Sequence, residues 1–335
     1  MIRIAVIGFG YWGPNLVRNF SSFDACQVKT VVDTSESRLA LAKKRYPALE
    51  TTQSVEAVLR DPAIDAVAIA LPVSLHYPVA KMALEHGKHV LLEKPMTATS
   101  QQALALIDLA EHHRKVLMVD HTFLYTGAVQ KMQSLIAQGE LGDIQYFDSV
   151  RINLGLFQHD INVIWDLAAH DLSILHYLVP DSASSVIATG ISHTPNQIEN
   201  IAYLTLYYPS NLIAHFSLSW TSPVKIRKIL IGGTKKMLVY DDLEPTEKVK
   251  VYDTGYTMNS YEERNQLLVD YRIGDVHIPK VQMTEALQGV AEDFLQAMLE
   301  GTEPVSNFRT GLAVVKMLEA ADASIKQRGR EVQIA

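Results

Sequence analysis

The sequence predicts a doubly wound α/β domain over residues 1–120 and an α+β domain with a large, mostly antiparallel sheet over residues 121–335. Three observations carry this. First, apolar runs alternate with amphipathic runs of about ten residues up to residue 120, the pattern of βαβ units around a parallel sheet. Second, a glycine-rich turn, Gly8-Phe9-Gly10-Tyr11-Trp12-Gly13, directly follows the first apolar run. Third, beyond residue 120 the chain turns to closely spaced period-two runs, which read as antiparallel strands with helices on one face. A chain of 335 residues is too long for one small domain and suits two.

The elements follow in order. "IRIAVIGFG" is a buried strand, and "GPNLVRNFSSF" a helix with Pro14 in its first turn, where the missing N–H costs nothing. "CQVKTVVD" is a strand, "SESRLALAKKRY" a helix, and "SVEAVLRDP" a short helix stopped by Pro62. "IDAVAIALP" is the third strand, and "HYPVAKMALEHG" a helix closed by Gly87. "KHVLLEKP", "SQQALALIDLAEHHR" and "KVLMVDHTF" complete the first domain as strand, helix and strand. The second opens with the helix "GAVQKMQSLIAQGELG", the strand "DIQYFDSVRINL" and a helix over 162–179. Six further runs read as strands: "SSVIATGIS", "IAYLTLYYP", "LIAHFSLSW", "KIRKILIGG", "KMLVYDD" and "KVKVYD", with "YPSN" a hairpin turn. Residues 255–282 show weak periodicity and are not placed. "TEALQGVAEDFLQAMLEG" and "TGLAVVKMLEAADASIKQRG" are closing helices.

Composition narrows the function classes. Hydrophobic residues make up 48% and charged residues 20%, enough for an ordinary soluble core. No apolar run reaches the 18 or so residues of a membrane span. "MIRIAVIGFG" lacks a small-residue cleavage site and reads as a first strand, not a signal peptide. The single cysteine, Cys26, leaves no internal disulfide, which fits a cytoplasmic protein. A net charge of −7 argues against nucleic acid or an anionic membrane as partner. No Cys/His group has zinc spacing, so no metal is expected.

The turn Gly8-x-Gly10-x-x-Gly13 lies between a strand and a helix, the context a dinucleotide-binding motif requires. There Gly8 permits the tight turn, Gly10 lets the backbone approach a pyrophosphate, and Gly13 lets helix and strand pack closely. Phe9, Tyr11 and Trp12 share the turn. Asp33 ends the second strand 20 residues after Gly13, where such folds place the acid that accepts from adenosine ribose hydroxyls. A carboxylate there repels a 2′-phosphate, and the nearest arginine is Arg38, so the expected cofactor is NAD rather than NADP. Glu93, Lys94 and Pro95 end the strand "HVLLEKP", and open parallel sheets bind ligands beyond such carboxyl ends. Alone, each feature has a plainer reading: an empty βα turn, a capping aspartate, a surface charge pair. Their combination is what points to a cofactor.

Together, "GFGYWG" at 8–13, Asp33, "EKP" at 93–95 and "WDLAAHDLSIL" at 165–175 resemble the glucose–fructose oxidoreductase/inositol dehydrogenase (Gfo/Idh/MocA) family. The resemblance spans nearly the whole chain. It implies a Rossmann NAD(P) domain followed by an open-faced antiparallel sheet that carries the substrate and builds a homodimer or homotetramer. It also implies that Lys94 is a catalytic-site residue and that Asp166 and His170 form a substrate-facing pair on one helix. "GYWGPNLVRNF" and "WDLAAHDLSIL" look most like the nucleotide-sugar branch, which oxidises the 3-hydroxyl of UDP-N-acetylglucosamine or its uronic acid. The implied setting is cell-surface polysaccharide or lipid A biosynthesis, with the product ketone passed to a pyridoxal-phosphate aminotransferase.

On a helical wheel of about 100° per residue, Ile164, Leu167, Ala168, Leu175 and Leu178 share one face. Asp166, His170, Ser173 and Tyr177 lie opposite, and Asp171 falls on the apolar side. Asp166 and His170, four apart, are neighbours. His170 is the expected base, because imidazole titrates near neutrality. Asp166 would orient it or bind a sugar hydroxyl, and Lys94 would stabilise a developing alkoxide. The family also uses lysine as the base, so that alternative stays open. On wheel geometry alone the pair is a solvated polar face. Asp171 is expected to be structural. Inositol enzymes carry a further aspartate where this chain has Ser173, which argues against a polyol.

Weaker candidates are Leu71, Pro72 and His76 past the third strand and His121 past the last, all placed against the cofactor. Tyr125, Trp165, Lys225 and Arg227 are candidates for substrate. Packing, or for Lys225 and Arg227 a solvated strand face, is the competing reading. The alternative functions are an NADP-dependent keto-sugar reductase, a polyol dehydrogenase, and a redox sensor that binds NAD(H) without turnover.

Overall fold

The computed structural model describes residues 1–155, 157–258 and 269–334. Two compact units divide it: Met1–Thr126 with Thr284–Lys316, and Gly127–Met283 with Met317–Ala335.

In the first unit, β1 (Ile2–Ile7), β2 (Cys26–Val32), β4 (Ala66–Ile69), β5 (His89–Glu93) and β6 (Leu117–Asp120) alternate with α1 (Gly13–Phe20), α2 (Glu36–Arg45), α3 (Val55–Arg60), α4 (Val73–Glu85) and α5 (Ser100–His113). A short strand, β3 (Glu50–Thr52), was not expected. Its three residues are polar and sit at the sheet edge, so no apolar run betrays them. The sheet is parallel, in the order β3-β2-β1-β4-β5-β6. Strand order reverses between β1 and β4, which opens a crevice at their carboxyl ends. Every residue of β4 and β6 is buried, as both faces of such a sheet demand.

The first unit reclaims a segment that the sequence reading assigns to the second domain. Helix α8 (Ala286–Glu300) packs on α1. Arg18 pairs with Glu285, and Phe20 meets Phe294 edge-on at 6.2 Å. Ser306 bonds to the backbone of Val119 and His121. The apolar face of α1 needs a cover that the first 120 residues do not supply. The division falls within α9 (Phe308–Lys326).

The second unit is built on a nine-stranded sheet. It contains β7 (Ile144–Leu154), β8 (Ser185–Ile191), β9 (Ile201–Tyr207), β10 (Ile213–Ser219), β11 (Thr221–Gly233), β12 (Met237–Asp241), β13 (Val249–Met258), β14 (Val269–His277) and β15 (Val332–Gln333). The order is β14-β13-β12-β11-β7-β10-β9-β8-β15. Only β7 and β10 pair in parallel among its described strands. The expected "YPSN" turn joins β9 to β10, with Asn211 at φ 64°. The unplaced stretch 255–282 contains the end of β13 and all of β14; residues 259–268 lie outside the described residues. Helices α6 (Gly127–Ala137) and α7 (Ala169–Leu178) pack against each other. Among the described residues, no helix is long and apolar enough to cross a membrane.

Candidate active site

The glycine turn is shaped by steric necessity at two of its three glycines. Gly8 sits at φ 98°, and a Cβ there would lie 2.3 Å from the carbonyl oxygen of Ala70. At Gly13 a Cβ would lie 2.1 Å from the oxygen of Gly8. Gly10 differs: the nearest atom to its would-be Cβ is Nη1 of Arg38 at 4.0 Å. The space beside its backbone is open, which leaves room for a ligand at the start of α1. Of the aromatics in the turn, Phe9 is buried, Tyr11 is exposed, and Trp12 meets Tyr11 edge-on.

The crevice beside this turn has a volume of about 580 Å³, within the usual range of ligand pockets. Gly8, Gly10, Asp33, Arg38, Leu71 and Pro72 are among its lining residues. Oδ2 of Asp33 accepts from the N–H of Phe9 at 2.7 Å, and Oδ1 from the N–H of Ser35 at 2.9 Å. Each oxygen keeps a second lone pair for a ribose hydroxyl. Arg38 Nη1 lies 3.5 Å from Asp33 Oδ2. The residues present fit an NAD adenosine half: an open backbone turn, a buried acid, and apolar walls.

Four other candidates of the first unit are not lined up as simply. His76 is 1% exposed, and its ring spans two carbonyls: Nδ1 lies 2.9 Å from Pro95 O and Nε2 2.8 Å from Leu71 O. Burial lowers its pKa. It clamps the turn after β4 to the turn after β5, so it shapes the pocket rather than lining it. Glu93 is buried at the end of β5 and faces Asp120 at the end of β6. Burial, then the neighbouring Asp120, pushes the Glu93 carboxyl well above its usual range. His121 is buried, and Lys94 is half-buried.

Tyr125 does not stand ready for substrate. Its hydroxyl donates to Asp293 Oδ2 at 2.7 Å and accepts from the N–H of Ser306 at 3.1 Å. Burial raises its pKa, and Asp293 adds to that. Helix α8 supplies Asp293 and the loop after it Ser306, both in a segment that the sequence places in the other domain.

In the second unit the helix expected over 162–179 is not uniform. Residues Ile164–Ala168 form a π-helical turn before α7 begins. The wider turn breaks the 100° phase on which the wheel relied. Asp166 and His170 are both half-buried, but Ser173, expected on their polar side, is fully enclosed and donates to the carbonyl of His170 at 2.6 Å. Asp166 Oδ2 accepts the indole N–H of Trp220 at 3.0 Å. Asp171 lies in the core, held by Arg151 Nε at 2.9 Å, Arg151 Nη2 at 2.6 Å and Ser149 Oγ at 2.8 Å.

Of three substrate candidates here, two are held by partners within the protein. Trp165 is buried, and its N–H donates to Asp322 Oδ2 at 2.8 Å. Arg227 of β11 pairs with Asp242, just past the end of the neighbouring β12, at 3.2 Å. Lys225 is exposed on β11, the solvated strand face that competed with a ligand role. Sequence reasoning missed Asp120 and Trp220. An acid closing the strand beside "EKP" could have flagged Asp120; nothing local flags Trp220. Among the described residues no group of three or more His, Cys, Asp or Glu could hold a metal.

Comparison with known proteins agrees with this geometry. Residues 2–121 match the model of an oxidoreductase family with an NAD-binding Rossmann fold, and residues 129–239 match the GFO/IDH/MocA C-terminal domain. The UDP-N-acetylglucosamine 3-dehydrogenase of Acidithiobacillus ferrooxidans is 32% identical over 96% of this chain and 95% of its own. A scyllo-inositol 2-dehydrogenase (NADP(+)) of Bacillus subtilis is 27% identical over 49% of this chain and 44% of its own. The solved structure of the Acidithiobacillus enzyme superposes with TM-score 0.83 at 24% identity, covering 97% of this chain and 98% of that one. An Agrobacterium radiobacter oxidoreductase solved with NAD+, L-tartaric acid and magnesium gives TM-score 0.83 at 18% identity, covering 99% and 98%. With both family models matched in order along one chain, this protein belongs to the GFO/IDH/MocA family of oxidoreductases, and its first domain is an NAD-binding Rossmann domain.

Proposed function

We propose that the protein is an NAD-dependent sugar dehydrogenase that oxidises a nucleotide-sugar hydroxyl to a ketone. The favoured substrate is UDP-N-acetylglucosamine or its uronic acid, oxidised at carbon 3. The single observation behind this reading is the 32% identity to a UDP-N-acetylglucosamine 3-dehydrogenase over 96% of the chain. A 3-keto sugar is the substrate an aminotransferase needs, which suggests pyridoxal-phosphate chemistry downstream in cell-surface polysaccharide or lipid A biosynthesis. Assembly as a homodimer or homotetramer belongs to the same reading.

Bound NAD would supply the hydride acceptor. The turn Gly8–Gly13, Asp33, Leu71 and Pro72 would hold it. His170 removes the proton from the substrate hydroxyl, and Asp166 orients the imidazole or binds a neighbouring hydroxyl. Lys94 stabilises the oxygen as it gains charge.

Arg38 favours a second reading. Its guanidinium beside Asp33 offers a partner to a 2′-phosphate, which would admit NADP. Titrating the protein with NADH and NADPH separates the two; a clear NADPH preference sinks the argument from Asp33.

The deciding experiment mixes the protein with NAD and, separately, UDP-N-acetylglucosamine, its uronic acid and myo-inositol, with a ketone trap, and follows NADH absorbance. A rise with one nucleotide sugar supports the reading, and Lys94→Ala and His170→Ala should each abolish it while NADH still binds. A rise with inositol alone, or none with any sugar, overturns it.

A further inference from the structure

Glu93 and Asp120 are the last residues of neighbouring parallel strands and partners in register. Side chains so placed leave the sheet on the same face, with strands about 4.8 Å apart. Both are buried, Glu93 at 7% and Asp120 at 1% exposure. Thr122 Oγ1 donates to Asp120 Oδ1 at 2.6 Å. Oε1 of Glu93 and Oδ2 of Asp120 are sealed from solvent, and neither meets a donor among the described residues.

An ionised carboxylate can only accept hydrogen bonds. Two of them side by side in the interior repel each other and strand both acceptor oxygens. One proton relieves both difficulties: a protonated Glu93 carries an O–H that Asp120 can accept. The charged and titratable neighbours are few. Lys94 follows Glu93, and its charge acts on both carboxyls. His76 from α4 feels the same charge. His121 adjoins Asp120, while Tyr125, with Asp293 from α8 on its hydroxyl, feels the Asp120 charge from the other side.

We propose that Glu93 and Asp120 hold one proton between them and present a single negative charge to Lys94, so that the pair positions the lysine and sets the acid limb of the pH profile. The second half rests on the reading of Lys94 given above. Burial drives the effect: it lifts Glu93 well above the carboxylate range and Asp120 to about 6. Over the neutral range Glu93 keeps the proton and Asp120 the charge. On acidification the pair takes a second proton from solvent, and the charge facing Lys94 falls from one to none. No bond to carbon changes.

Infrared difference spectra of wild type against Glu93→Gln and Asp120→Asn at pH 7.5 test the shared proton directly. The expected result is a carbonyl band of a protonated carboxylic acid in the wild type that disappears in both variants. Its absence in the wild type, or its survival in either variant, overturns the proposal. NADH binding by each variant checks that it has folded. The positioning role is read from kcat/KM against pH. Each single variant, which leaves one carboxylate, should shift the acid limb and lose about tenfold, whereas Glu93→Gln with Asp120→Asn should lose more than the product of the two. Losses that simply multiply, with an unmoved acid limb, overturn that role. The infrared measurement needs no substrate, so it decides the shared proton even where sugar turnover fails.

Discussion

The indole N–H of Trp220, between β10 and β11, donates to Oδ2 of Asp166 in the π-helical turn before α7, at 3.0 Å. The tryptophan is 1% exposed, so the bond is sheltered from water. It fixes one carboxylate oxygen of Asp166 and so the orientation of the group. Trp220→Phe keeps most of the aromatic volume and removes the donor. The expected loss is about tenfold in kcat/KM, the scale of one hydrogen bond to a charged group, with NADH affinity unchanged. An equal loss of NADH binding would show that the substitution disturbs the fold instead.

The three glycines of the turn should separate by phenotype. Gly8→Ala and Gly13→Ala drive a Cβ into backbone oxygen at 2.3 and 2.1 Å and should lower stability by about 2 kcal/mol or more. Gly10→Ala meets no protein atom closer than 4.0 Å, so its melting temperature should stay near that of the wild type while NADH affinity falls. Thermal melts beside fluorescence titration of NADH check both; retained NADH affinity in Gly10→Ala would mean that the ligand does not approach there.

Asp171 and Arg151 form a buried, two-pronged ion pair that joins α7 to β7. Asp171→Asn removes the carboxylate that Arg151 grips in the interior and should cost about 3–5 kcal/mol by urea denaturation. Replacing both residues with apolar ones of similar volume should recover much of that loss. A double variant no better than the single one would show that Ser149 and the surrounding packing, not the charges, set the cost.

The Asp120 carboxyl, lifted to about 6 by burial, makes stability depend on pH. A folded-state pKa above the unfolded value stabilises the protein at low pH, and that contribution is lost as pH rises through the folded value. The melting temperature of wild type relative to Asp120→Asn should therefore fall as pH rises from about 4 to about 6. A parallel course for the two proteins would place the titration elsewhere.

The parallel order of the first domain, the glycine turn and Asp33 were legible because each depends on residues near in sequence. A strand, a tight turn and a helix start lie within 20 residues of Met1, and local sterics dictate all three. Lys94, Asp166 and His170 were legible as a motif. Their surroundings were not. Asp166 finds its donor 54 residues away, and Tyr125 is taken by partners 168 and 181 residues away. The wheel over 164–178 failed at Ser173 because one π-helical turn resets the phase for everything after it.

By itself, then, the amino-acid order determined the fold class, the dinucleotide turn and the family, because periodicity and turn chemistry act over short distances. Only the tertiary structure decided which chain covers α1, which candidates are free to meet a ligand, and that two carboxyls meet at the ends of β5 and β6. Those outcomes depend on packing between residues far apart in the chain. Burial then fixes their charge, since a second negative charge in that interior would have no water to stabilise it.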